Sequence, residues 1–348
     1  MSRQFPALRG LAILLVVLNH SIVLSVLAST TNGHTPPAGW ERFLLEAMGG
    51  LGLIAVPTFL FISGGFVVYA LRDKDLRLGY RTIALSLRHI VVPYLIWSAI
   101  FYVLVYALNG ETHPPIEYLK LLVVGYPYNF VPLIIFFYIA APLLVRLTHR
   151  WPWVVILGIG LYQLFTAIVL QPGLLGFAFP GWARYLTIPG LRLSVALWGI
   201  YFPLGVAFGL HARQWALSVG KVWWLLAIAA VVLYSLAVLH ETSFTRAPFA
   251  GLLLPVFVVL MLPLLRREAI PFVEALEVEG KRAYGLYLTN LVFLNVALVG
   301  VQAGLPWLVD QLLVLVPLLV LFTILAMRLL VAGLARLPVP TAQRYVLG

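Results

Sequence analysis

Residues 7–21 read ALRGLAILLVVLNHS, an apolar stretch with an arginine near its start and a histidine deep inside it. The apolar run continues to residue 28, close to the roughly 20 residues that a membrane-spanning helix needs. Polar side chains are costly inside a bilayer and usually face the interior of a helix bundle or a wet cavity. Arg9 and His20 therefore make this first predicted helix a candidate reaction centre.

The composition extends the same pattern to the whole chain. Of 348 residues, 62% are hydrophobic and 10% are charged, and mean hydropathy is +1.01, whereas soluble domains carry about 25% charged residues. These values indicate a multi-pass membrane protein, a single domain over residues 1–348 without a separate soluble part. Topology and contact with membrane lipids, rather than nucleic acid, explain the net charge of +11. The absence of cysteine excludes disulfides and thiol nucleophiles.

We predict an all-α helical bundle of about ten transmembrane helices. Their approximate ranges are 7–28, 47–71, 83–108, 126–146, 152–170, 193–210, 222–239, 248–265, 283–303 and 311–334. The fourth is the least regular, since GYPYN at its start is also compatible with a re-entrant or interfacial piece. Most of the 23 Lys and Arg fall in connections on one side, so the positive-inside rule predicts that both termini are cytoplasmic.

The spacing of Arg9 and His20 places both on one face of the helix. Eleven positions at 100° each give about 1100°, three turns plus about 20°, and an axial separation of roughly 16–17 Å. Structural roles are open to both: Arg9 as an anchor among headgroups, and His20 as a neutral histidine bonded to a neighbouring helix. A catalytic role is also open, because imidazole is the side chain best suited to proton transfer near neutral pH.

Four segments, taken in order, resemble the membrane acyltransferase family 3. They are LRGLAILLVVLNH, with the family's Arg, ten residues, His motif, VPTFLFISGGFVV (56–68), LRHIVVPYLIW (87–97) and EGKRAYGLYLTNLVF (279–293). The resemblance covers about residues 5 to 330. The chain departs from the family pattern at several positions: Pro6, Leu85, Ala283 and Asn290, and Phe130 or Asn129 in place of a tryptophan.

The resemblance implies a membrane O-acyltransferase of the bacterial inner-membrane type. Such an enzyme moves an acyl group, commonly acetyl, from cytoplasmic acyl-CoA to a hydroxyl of a sugar or other cell-envelope acceptor. His20 would be the general base or would carry the acyl group transiently, and Arg9 would hold the donor side. The candidate contacts to the anionic donor are basic residues at the predicted cytoplasmic face, namely Arg9, Arg72, Lys74, Arg77, Arg81 and Arg88.

The candidate contacts to the acceptor are polar residues in spans and in the outer loop 171–192. They are Ser63, Tyr94, Tyr138, Tyr287, Asn290, Trp182, Arg184 and Tyr185. Ser63 is also a candidate oxyanion partner, and Asn19, Ser63 or a neighbouring tyrosine is a candidate orienting partner for His20. Small-residue packing between helices is the other explanation for Gly64 and Gly65.

The sequence leaves several alternatives open. The expected partner is a glycan or a lipid-linked hydroxyl acceptor, and a homodimer is compatible with the pattern. The histidines other than His20 fall in loops or at span ends, and no metal is expected. A transporter or flippase that uses Arg9 and His20 as a substrate or proton relay would share the hydropathy. Against a proton-coupled carrier stands the scarcity of acidic residues inside the predicted spans.

Overall fold

The computed structural model describes residues 3–72, 74–336 and 342–348, which form helices, turns and connecting loops with no strand among them. The helices are α1 (Phe5–Thr31), α2 (Gly39–Leu51), α3 (Ala55–Leu71), α4 (Leu76–Asn109), α5 (Pro115–Val124), α6 (Phe130–Arg150) and α7 (Pro152–Leu170). They continue with α8 (Arg192–Trp198), α9 (Tyr201–Glu241), α10 (Phe249–Met261), α11 (Val273–Lys281), α12 (Ala283–Gly304), α13 (Leu312–Ala335) and α14 (Ala342–Leu347). Short 3₁₀ turns lie at Gly52–Ile54, Gly181–Leu186, Leu262–Leu264, Arg267–Ala269 and Pro306–Asp310.

Within the described residues, eight helical segments are long and apolar enough to cross a membrane. They are Phe5–Thr31, Gly39–Leu71, Leu76–Asn109, Phe130–Arg150, Pro152–Leu170, Tyr201–Glu241, Ala283–Gly304 and Leu312–Ala335. This result confirms an all-helical, multi-pass architecture. It gives fewer spans than the ten that the hydropathy pattern predicts, and the difference arises in two places.

The sixth and seventh predicted spans, 193–210 and 222–239, form one segment because a kink rather than a loop joins them. Helix α9 consists of two helices that meet at this kink, at His211 (φ −126°, ψ 32°), the first residue of the polar stretch 211–221. The first half of the sixth span is the separate short helix α8. The break therefore falls where the polar stretch begins, and helical structure resumes within that stretch.

The fourth predicted span is shifted along the chain, and the eighth is shorter than expected. Helix α6 begins only at Phe130, and the preceding GYPYN forms a turn that links it to the unpredicted helix α5. The eighth gives α10 plus the turn Leu262–Leu264, a unit of 16 residues over Phe249–Leu264. This is less than the roughly 20 residues of a full crossing.

The core forms where α3 crosses α9 at very short range. A Cβ added to Gly64 would lie 2.2 Å from the carbonyl oxygen of Phe202, and one added to Gly205 would lie 1.9 Å from that of Phe61. Glycine at both positions lets the two backbones touch, as small residues do in membrane helix pairs. The rings of Phe137 and Phe202 stack beside this crossing with centroids 5.0 Å apart. The crossing fixes α3 as one wall of the site described next.

Candidate active site

Helix α1 is held at its first turns by close packing against α11. A Cβ on Gly10 would lie 1.9 Å from the carbonyl oxygen of Leu276, and one on Gly280 would lie 1.8 Å from that of Pro6. Helix α11 is linked in turn to α13, because Arg328 donates to the buried Glu279 carboxylate at 2.6 Å. Arg9, next to Gly10, therefore stands on a backbone that has little room to move.

Arg9 lines a cavity of about 130 Å³ between α1, α3, α4, α6 and α12, called here the Arg9 cavity. Its lining residues are Arg9, Phe59, Ser63, Ile90, Phe130, Ile134, Tyr138, Ala283, Tyr284 and Tyr287. Arg9 forms no salt bridge with any residue that the structure describes. A cation without a carboxylate partner, surrounded by a serine and three tyrosines, is suited to hold an anionic or strongly polar ligand group.

His20 opens on a second, larger cavity of about 620 Å³, called here the His20 cavity. Its polar lining residues are Asn19, His20, Asn129, Gln171 and Tyr287, and the rest of its lining is apolar or glycine. One side of the His20 ring is held by a hydrogen bond, because its Nδ1 lies 2.7 Å from Oδ1 of the fully buried Asn290 on α12. His20 therefore presents an oriented imidazole to a cavity large enough for a small-molecule ligand.

A third cavity, of about 520 Å³, lies at the opposite end of the bundle and is called here the basic cavity. Among its lining residues are Arg72, Lys74, Arg146 and His149. It also contains Asp75, whose carboxylate caps α4 by accepting the backbone N–H of Leu78 at 2.7 Å. Most of the charge facing this cavity is positive, as a phosphate-bearing ligand requires.

The three cavities follow one another along the same two helices. Along α3 and the turn before it, the lining residues are Leu71 and Val68, then Ser63 and Phe59, then Val56 and Gly52. Along α6 the order is the same: Val145 and Pro142, then Tyr138 and Ile134, with Asn129 at the far end. Tyr287 belongs to the walls of both the Arg9 and the His20 cavities. The row runs from the basic end of the bundle to His20.

A family model described as an acyltransferase domain matches residues 4–332. The chain belongs to acyltransferase family 3. Comparison with curated proteins and with solved structures finds no match. The family and the eight apolar helices together make this chain a multi-pass membrane acyltransferase. This assignment confirms the resemblance drawn from the sequence, and it favours an enzyme over a transporter.

The structure brings about half of the predicted site residues of this acyltransferase into the row of cavities. Arg9, Ser63, Tyr138 and Tyr287 share the Arg9 cavity, His20 and Tyr287 share the next, and Arg72 and Lys74 line the basic cavity. Tyr94 lies behind this row and donates to the carbonyl oxygen of Leu122 at 2.6 Å. Asn290, predicted as an acceptor contact, instead contacts His20 directly.

The remaining predicted contacts lie outside the three linings. Arg77 and Arg81 are exposed, and Arg88 lies over the ring of Tyr345 at 5.1 Å. Trp182 is 62% exposed, and Arg184 packs on its neighbour Tyr185, 4.9 Å from the ring centroid. These residues, which were predicted to lie in an outer loop, sit on the turn Gly181–Leu186, outside the lining of the His20 cavity.

Several site residues were missed from the sequence. Tyr284 completes the Arg9 cavity, and Arg146 and His149 complete the basic cavity. Asn290 is missing from the orienting partners considered for His20, which were Asn19, Ser63 and a tyrosine. The signal for Arg146 and His149 was present in the basic run RLTHR (146–150). In the described residues no group of three or more His, Asp or Glu is placed to hold a metal ion.

Proposed function

We propose that this acyltransferase moves an acyl group, acetyl in the simplest case, from acyl-CoA to a hydroxyl acceptor. The donor would bind with its phosphates in the basic cavity, and the acceptor would occupy the His20 cavity. One observation carries the proposal: the three cavities lie in series along α3 and α6. From Arg72 to Gly52 the chain advances 20 positions, about 30 Å at 1.5 Å per residue, close to the thickness of a bilayer core.

The basic cavity suits the charged end of the donor. Arg72, Lys74 and Arg146 approach it from the connection between α3 and α4 and from α6. Arginine and lysine bind phosphate oxygens through charge-assisted hydrogen bonds. The positive-inside rule assigns this end to the cytoplasm, where acyl-CoA is made. The enzyme would therefore sit in a bacterial-type inner membrane with both termini cytoplasmic.

The Arg9 cavity is the passage for the reactive end of the donor. Arg9 and His20 are about 16 Å apart along α1, so one reacting carbonyl cannot touch both side chains. Arg9 would contact polar groups of the donor on its way through the bundle, with the Ser63 hydroxyl beside it. Tyr287 stands between this passage and the His20 cavity.

The transfer itself would take place at His20. The acceptor hydroxyl oxygen attacks the thioester carbonyl carbon while its proton passes to the imidazole. The new carbon–oxygen bond forms, the carbon–sulfur bond breaks, and the proton moves from the imidazole to the departing CoA thiolate. The acceptor would be a sugar or another cell-envelope molecule that carries a hydroxyl. Base catalysis of this kind is worth about 10²–10⁴ in rate.

The absence of cysteine makes the test simple, because a thiol reagent then detects released CoA without a signal from the protein. Purified enzyme in nanodiscs is given [¹⁴C]acetyl-CoA and bacterial envelope extract, and both CoA release and label transfer are followed. We expect His20→Ala to lower kcat by about 10² or more and Arg9→Ala to raise KM for acetyl-CoA. His113→Ala is the matched control, because His113 pairs with Glu111 in an outer loop. Equal rates for all four proteins would refute the proposal.

A further inference from the structure

The side-chain amide of Asn290 forms hydrogen bonds with two partners, and only one orientation of the amide allows both bonds. Its Nδ2 donates to the backbone carbonyl oxygen of Tyr287, one turn earlier in α12. Its Oδ1 lies 2.7 Å from Nδ1 of His20. The side chain is fully buried, so water does not compete for either bond. Asn290 therefore connects the imidazole to the backbone of α12 in a fixed geometry.

The direction of these bonds determines where the proton of His20 lies. A carbonyl oxygen can only accept, so the NH₂ group of Asn290 must face Tyr287 and the amide oxygen must face His20. That oxygen can only accept as well, so Nδ1 of His20 must donate. A neutral imidazole carries one N–H, and the proton on Nδ1 leaves the lone pair on Nε2 free.

We propose that Asn290 is the positioning residue of this enzyme: it holds His20 in the Nδ1–H tautomer, so that Nε2 takes the acceptor proton. The inference rests on the proposed function and adds to it the imidazole nitrogen that accepts the proton. The amide is neutral, so unlike a carboxylate it orients the ring without adding a charge to the apolar cavity. The same turn of α12 provides Tyr287, which forms the wall between the Arg9 and His20 cavities. One turn of α12 thus carries both Asn290, which orients His20, and Tyr287, which separates the two cavities.

The tautomer is measured directly by NMR with ¹⁵N-labelled histidine, because the two ring nitrogens resonate far apart when only one of them is protonated. His20→Ala identifies the His20 signals among those of the seven histidines. We expect a protonated Nδ1 and an unprotonated Nε2 in the parent protein. We expect Asn290→Leu to lose this pattern and to lower kcat by about 10², with KM for acetyl-CoA little changed. Asn290→Asp, which keeps an acceptor oxygen, should restore the Nδ1–H signal.

Asn295 supplies the matched control on the same helix. Its Nδ2 donates to the carbonyl oxygen of Leu291 at 2.7 Å, one turn back, but its side chain has no bond to a histidine. Asn295→Leu should therefore leave both the tautomer and kcat unchanged. Equal losses in Asn290→Leu and Asn295→Leu would overturn the proposal, because the effect would then come from the helix.

Other outcomes separate this inference from the proposed function. A protonated Nε2 in the parent spectrum overturns the inference even if no variant of Asn290 folds. A changed tautomer with unchanged kcat also overturns it, because Nε2 would then not be the acting atom. Full activity of His20→Ala refutes the proposed function instead, while the parent spectrum still decides the tautomer.

Discussion

The close crossing of α3 and α9 predicts very different costs for two adjacent glycines. In Gly64→Ala the new methyl group would lie 2.2 Å from the carbonyl oxygen of Phe202, whereas ordinary contacts of this kind are 3.4 Å or longer. The two backbones would have to separate by more than 1 Å at the centre of the core. Overpacking of this kind costs about 1–3 kcal/mol, and alanine regains about 0.5–1 kcal/mol of helix propensity. The central values of these two ranges leave a net loss of roughly 1 kcal/mol.

Gly65 is the matched control, because a Cβ there would meet only the carbonyl oxygen of Gly205 at 3.6 Å, an ordinary contact. Gly65→Ala should leave stability unchanged or raise it by up to about 1 kcal/mol through helix propensity. The free energy of unfolding is measured in mixed micelles by tryptophan fluorescence, for which the chain offers ten tryptophans. Equal stabilities for the two variants would show that the helices do not cross as closely as described.

Two further predictions concern Tyr287, between the Arg9 and His20 cavities, and a partly buried ion pair. Tyr287→Ala should join the cavities of about 130 and 620 Å³ and raise acetyl-CoA hydrolysis relative to acyl transfer. Tyr287→Phe keeps the ring and should leave this ratio unchanged. CoA release and labelled product measure the two rates. The guanidinium of Arg267 donates to the Glu277 carboxylate and holds its pKa below the usual range. The pair therefore stabilises the fold above the usual glutamate pKa, and this contribution is lost as pH falls through the lowered pKa. The stability difference between the parent and Glu277→Gln should vanish over that acid range, as unfolding at several pH values would show.

The spacing of Arg9 and His20 was informative because helical geometry acts over short sequence distances. Eleven positions on one helix predict a common face, and the structure places both side chains on successive cavities of one row. The partner of His20 could not be found in the same way. Asn290 lies 270 positions away, and only the packing of α12 against α1 brings the two side chains together. Contacts within a helix follow from the sequence, while contacts between distant helices depend on the full fold.

The number of spans differs for a related reason. Hydropathy locates the polar stretch HARQWALSVGK (211–221), but it does not show whether the chain breaks there by a loop or by a kink. In the structure the break is confined to His211, and the helices on either side of it meet directly. The polar pattern therefore predicted where the helix breaks but not the form of the break.

The separation of the charged and neutral parts of the site follows from what a bilayer allows. Phosphate groups need several cations at a wet surface, and the basic cavity provides them at one end of the bundle. The His20 cavity, in contrast, has no Lys, Arg, Asp or Glu among its described lining residues, as suits the neutral base that we propose for His20. Arg9 lies between these two environments, in a cavity that shares Tyr287 with the second. An enzyme that binds an anionic donor at one end of the bundle and deprotonates a hydroxyl deeper inside needs its charged and neutral parts in this order. A single compact site would place the charges of the donor beside the imidazole and within the apolar layer.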